Sequence, residues 1–160
     1  MATGPAGPVA TRYTSAHNNT KVPLMPRITL VAITLTLLAL LQFFYFGMLV
    51  GRARGTYGIK APAVSGNEIF ERYFRVQMNT LEQLILFLPA LWIACGFKFI
   101  ADYWIALMGV LYLIGRFMYL RSYVADPAKR SAGFGLSSVP VLALLVIDIV
   151  GTVRAWIVGN

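Results

Sequence analysis

The chain has 160 residues, of which 58% are hydrophobic and only 12% charged. That is about half the charge of an ordinary soluble domain and too little to cover a water-facing surface, so the expected solvent is lipid. The net charge of +8 sits at the ends of apolar runs and in short connections, a placement that suits anionic headgroups and argues against nucleic acid as a partner.

Residues 1–23, rich in Gly, Pro, Thr, Ser and Asn, read as an unstructured tail that holds the single histidine, His17. One domain over residues 24–160 follows, with helices expected over about residues 26–52, 67–98, 102–124 and 134–158. The first run, Ile28 to Val50, is too long for a cleaved signal and reads as a retained spanning helix. Gly51-Arg52-Ala53-Arg54-Gly55 ends it, and a loop with Gly58, Pro62 and Gly66 leads to a second helix starting near Asn67 or Glu68. That helix is polar until Leu84, then apolar to Phe97, with a kink expected at Pro89.

A turn near Lys98 to Asp102 opens the third helix, and Asp126-Pro127 closes it. Short connections imply an all-α, up-down-up-down, integral membrane four-helix bundle. The basic residues Arg52, Arg54, Lys60, Arg72 and Arg75, with Arg121, Lys129 and Arg130, put the first and third connections in the cytoplasm and both termini outside. Cys95 is read as a packed thiol, Asp148 and Arg154 as structural, and Trp104 and Trp156 as interface anchors. A single cysteine and a single histidine give no disulfide framework and no metal site.

Ionisable residues at membrane depth carry functional information. Arg72, Arg75, Asn79 and Glu82 follow spacings of three, four and three, and so share one helical face. Tyr112, Arg116, Tyr119 and Tyr123 do the same on the third helix. Several guanidinium groups suit carboxylates, Glu82 suits an ammonium, and Asn79 and Gln77 suit peptide amides. A small zwitterionic peptide with an excess of carboxylates fits that description, and glutathione is the abundant one. The competing account of any single residue is a structural ion pair, Arg75 or Arg116 with Glu82, that locks helix packing.

The run Phe70-Glu71-Arg72-Tyr73-Phe74-Arg75-Val76-Gln77-Met78-Asn79-Thr80-Leu81-Glu82 resembles the MAPEG family, the membrane-associated proteins in eicosanoid and glutathione metabolism. A second block agrees: Gly115-Arg116, Tyr119, Tyr123, Asp126-Pro127-Ala128-Lys129-Arg130 and Gly133-Phe134, most similar to bacterial members of the microsomal glutathione transferase type. The resemblance implies a homotrimer in a bacterial inner membrane, with glutathione bound between subunits near the cytoplasmic side. Position by position it gives Arg75, Gln77, Asn79, Glu82, Arg116, Tyr119 and Tyr123 as glutathione ligands and Arg130 as the arginine that stabilises the thiolate. The first-loop ligand is Arg52 or Arg54, and Gln83 stands where some members carry a tyrosine.

The expected activity is conjugation of glutathione to a hydrophobic electrophile from the bilayer, with reduction of lipid hydroperoxides as a second activity. Glutathione is the co-substrate and no metal is involved. Two rivals stand beside it. A non-catalytic MAPEG-like protein would bind membrane lipids or a protein partner, although Arg75, Arg116 and Arg130 are all present. A small multidrug exporter needs an acid in its first helix, and Ile28 to Val50 has none.

Overall fold

In a computed structural model that describes Met1, residues 26–97 and residues 99–159, four long helices form one antiparallel bundle. They are α1 (Arg27–Thr56), α2 (Glu68–Ala94), α3 (Asp102–Ala125) and α4 (Ser131–Val158), with a 3-10 turn over Pro127–Arg130 between the last two. The expected tail, with His17, lies outside the described residues, as does Lys98. At 1.5 Å per residue the helices run about 36 to 45 Å, longer than the roughly 30 Å hydrocarbon core of a bilayer.

Three helical segments, Arg27–Thr56, Asp102–Ala125 and Pro127–Val158, are long and apolar enough to cross a membrane by composition alone. The polar first half of α2 keeps it out of that set, yet it packs on all three other helices. The outside is apolar: Leu41, Phe44, Ile85, Val139, Leu142 and Ile149 are all more than 60% exposed. A soluble monomer does not leave that much apolar surface in water, so the bundle is an integral membrane protein.

Helix boundaries differ from the sequence expectation where local capping decides them. α1 continues through Arg52 and Arg54 and stops at Tyr57, because Gly58 adopts φ +66 and closes a Schellman motif. Its two bonds run from Ile59 N–H to the Arg54 carbonyl (3.0 Å) and from Gly58 N–H to the Gly55 carbonyl (3.4 Å). α2 starts where expected, since Asn67 Oδ1 accepts from the amides of Ile69 and Phe70 and the acids Glu68 and Glu71 lie in the first turn. It ends four residues early, in a tight turn at Cys95 and Gly96, and is continuous through Pro89. Asp126 Oδ1 caps the amide of Ala128, so Pro127–Arg130 is a 3-10 turn and α4 begins at Ser131 rather than residue 134.

α3 and α4 form the closest pair, and glycine makes this possible. A Cβ on Gly115 would lie 2.5 Å from the Ser137 amide nitrogen, and one on Gly133 would strike the Tyr119 backbone. The two backbones touch directly, as small residues allow in membrane helices. The core beside this seam holds Phe87 stacked on Tyr112 at 3.9 Å and 8°. Polar ties fasten the other pairs: Trp92 donates to Thr36 Oγ1 (3.1 Å) and Gln42 to the Leu113 carbonyl (2.9 Å).

Asp148 is buried on the core face of α4 without a hydrogen-bond partner among the described residues, and the Arg154 guanidinium lies over the Phe99 ring. Arg72 is a fastener. It donates to the carbonyls of Val124 (3.1 Å) and Ala125 (3.3 Å) at the end of α3, and pairs with Glu68 at 3.0 Å. Its charge thereby meets the negative end of the α3 dipole. Arg72→Met is expected to lower stability by about 2 kcal/mol, the usual worth of hydrogen bonds to a charged donor, read as unfolding in detergent.

Candidate functional site

The ends of α2 and α3 that Arg72 joins also carry the stripe of charged and aromatic residues. A groove of about 570 Å³ opens there, lined by Arg75 and Asn79 of α2, Tyr119 and Tyr123 of α3, and Arg130, Ser131 and Phe134 at the start of α4. The helical spacings explain the grouping, since residues three and four apart share a face. The 3-10 turn matters as much, because it delivers Arg130 to the mouth of the groove. A second hollow of about 400 Å³ continues from the first, sharing Arg75 and Tyr123 and adding Glu68, Glu71 and Arg72.

Arg75 and Arg130 are exposed, and neither makes an ion pair among the described residues. Two unpaired guanidinium groups on one concave surface attract an anion and suit carboxylate or thiolate oxygen and sulfur acceptors. The aromatic floor comes from Tyr119, whose ring centroid lies 5.3 Å from Tyr123 and 6.2 Å from Phe134. The groove volume falls in the range that small-molecule sites occupy.

The remaining candidates fall elsewhere. Glu82 stands beside the groove, exposed, and accepts from Asn79 Nδ2 at 3.0 Å. Arg116 is wholly buried beneath the groove rather than in its wall. Its guanidinium donates to Asn79 Oδ1 (3.0 Å) and Thr80 Oγ1 (2.6 Å) and lies 4.5 Å from the Tyr119 ring centroid. Neither Arg75–Glu82 nor Arg116–Glu82 is a direct ion pair among the described residues. Asn79 intervenes for Arg116.

Gln77 lies on the other side of α2, where its amide abuts Gly47 of α1. Arg52 also faces that side, lining a hollow of about 320 Å³ with Leu49, Thr56, Tyr57 and Tyr73. Arg54 is occupied: it donates to the carbonyls of Ile59 (3.3 Å) and Ala63 (2.8 Å) and stacks over Phe70. Of the two first-loop arginines, Arg52 is therefore the one whose side chain has no partner among the described residues. Ser131, a wall residue, was not among the sequence candidates. Its signal was its place after Arg130 in a chain restarting a helix beyond Asp126-Pro127.

A membrane-embedded four-helix bundle with a cationic, tyrosine-floored groove at one end defines a narrow class of protein. The MAPEG family model matches residues 31–150, and the chain belongs to that family. Microsomal glutathione S-transferase 2 of Bos taurus is 39% identical over 124 residues, covering 77% of this chain and 83% of that protein. Leukotriene C4 synthase of Rattus norvegicus is 38% identical over 135 residues, 79% of this chain and 89% of that protein. An uncharacterised protein of Synechocystis is 44% identical over 113 residues, covering 70% and 80%.

Proposed function

We propose that this chain is a membrane-bound glutathione transferase that activates the glutathione thiol with Arg130. The observation that carries the proposal is the pair of unpaired guanidinium groups, Arg75 and Arg130, in one groove with Tyr119 and Tyr123. Relatives named for glutathione transfer and leukotriene C4 synthesis support the choice of anion. In this reading Arg75 holds a glutathione carboxylate, Asn79 and Tyr123 bond its peptide amides, and Glu82 faces its ammonium.

Chemically, a guanidinium beside the sulfur favours the thiolate, the only strong nucleophile of the pair. The thiol proton leaves to solvent, the thiolate attacks an electrophilic carbon, and a carbon–sulfur bond forms as the leaving group departs or a strained ring opens. The electrophile reaches the sulfur from the bilayer, where apolar molecules concentrate. With a lipid hydroperoxide instead, two glutathione thiols become one disulfide while the peroxide becomes an alcohol and water.

Arg52 and Gln77 face away from the groove within one chain, which supports a homotrimer in which a neighbouring subunit completes each site. The basic end of the bundle, with the groove, faces the cytoplasm of a bacterial inner membrane in this reading, by the excess of arginine and lysine in its connections. Arg52→Ala is then expected to weaken glutathione binding by about tenfold, the worth of one charge-assisted contact, with stability unchanged. Arg54→Ala does the reverse, since its bonds hold the loop. Calorimetric titration and thermal unfolding of the two variants separate these effects.

The activity test is conjugation. Membranes carrying the chain, given glutathione and an apolar electrophile such as a chloronitrobenzene, form the thioether, and Arg130→Ala membranes form little. Absence of conjugation with a range of electrophiles, together with binding of lipid or another membrane protein, would instead make this a non-catalytic member of the family.

A further inference from the structure

Arg116 has no exposed surface, so a molecule in the groove cannot touch it. We propose that it is a positioning residue, clamped by Thr80, which fixes Asn79 and through Asn79 aims the Glu82 carboxylate at the ammonium group of glutathione. This rests on the transferase reading above.

The chain of contacts has a defined direction. Thr80, itself 1% exposed, donates its single hydroxyl proton to the Val76 carbonyl at 2.7 Å. Its lone pairs then remain for Arg116 Nη2, which approaches to 2.6 Å. The second terminal nitrogen, Nη1, donates to Asn79 at 3.0 Å. A guanidinium has donors only, so the amide must turn its oxygen inward and its NH₂ outward. That NH₂ meets Glu82 Oε2 at 3.0 Å.

The Tyr119 ring, 4.5 Å from the guanidinium carbon, limits the tilt of the group. A buried arginine thus determines the rotamer of an exposed acid two contacts away. Without it Glu82, at the edge of the bundle, would swing among rotamers and lose the advantage of a preset geometry.

Thr80 is the link that can be cut with least disturbance, because valine keeps its branched shape and removes the close acceptor, leaving Nη2 only the Val76 carbonyl at 3.5 Å. The experiment uses the full chain in detergent and two ligands in calorimetric titration: glutathione, and glutaryl-cysteinylglycine, which lacks only the ammonium group. Wild type is expected to prefer glutathione by about tenfold or more. Thr80→Val is expected to raise the Kd for glutathione by about tenfold and leave that for the analogue unchanged. Thr80→Ser restores the preference.

Equal weakening of both ligands would mean that Thr80 only supports the fold, and no change in either would mean that the clamp does not reach Glu82. Both results overturn the proposal. If Thr80→Val does not fold, Asn79→Leu cuts the next link with the Thr80–Arg116 contact in place. A retained preference for glutathione in that variant overturns it too. Wild type that binds neither ligand is a separate result, which removes the transferase reading itself.

Discussion

Arg130→Ala is expected to lower the fraction of bound glutathione present as thiolate at neutral pH by about 25-fold. The figure follows from a free thiol pKa of about 8.5 and a depression of about two units, which corresponds to roughly 2.7 kcal/mol. One guanidinium about 4 Å from the sulfur, in surroundings of intermediate dielectric, supplies about that much. The sign is fixed by charge: a cation stabilises the anionic form and lowers the thiol pKa, and its removal lets the pKa rise back.

Turnover falls less steeply than ionisation. A thiolate that is less stabilised is also a better nucleophile, with a Brønsted slope of about 0.4–0.5, which returns nearly tenfold of the lost rate. Loss of the sulfur's fixed position acts in the other direction. The net expectation is a drop of roughly tenfold at neutral pH, narrowing as the pH rises toward about 8.5. A rate profile for the variant that parallels wild type across that range would show that Arg130 does not act on the thiol.

Gly133→Val is expected to remove the folded protein. The new side chain would begin inside the Tyr119 backbone, and a backbone cannot turn aside as a flexible side chain can. Overpacking costs about 1–3 kcal/mol where side chains can shift, and more where they cannot. The seam also sets Tyr119 and the start of α4, so any protein that does fold should have lost its groove. Gly135, one turn-fraction away on the same helix, has nothing within 4 Å of its Cβ position. Gly135→Ala is therefore neutral or stabilising by up to about 1 kcal/mol. Expression level and unfolding temperature of the two variants, in the same detergent, check the contrast.

Much of this was legible in the residues. Composition alone required lipid, and turn residues located every helix to within a few positions. The three-and-four spacing correctly grouped Arg75 with Asn79 and Tyr119 with Tyr123, because face is a property of sequence period. Depth is not. Arg116 shares its stripe with Tyr119 and Tyr123, yet it is wholly inside the bundle, bonded to Asn79 and Thr80 of α2, while Tyr123 remains partly open.

The first-loop ambiguity had a different cause. Arg52 and Arg54 differ in which loop carbonyls they can reach, and that depends on the Schellman turn at Gly58, a backbone conformation that side-chain pattern does not reveal. Gln77 illustrates a third limit. Its separation from Arg75 by two residues turns it to the opposite side of α2, toward Gly47 of α1 and away from the groove that Arg75 lines.

The most direct test of the central claim is a titration of the purified protein with glutathione, following the ultraviolet absorbance of the bound thiolate as the pH is varied. The account requires a saturable thiolate signal at neutral pH that disappears only on acidification well below about pH 8.5, the midpoint of a free thiol. Saturable binding with a thiol that still ionises near that midpoint would contradict activation by Arg130, and absence of binding would contradict the transferase reading as a whole.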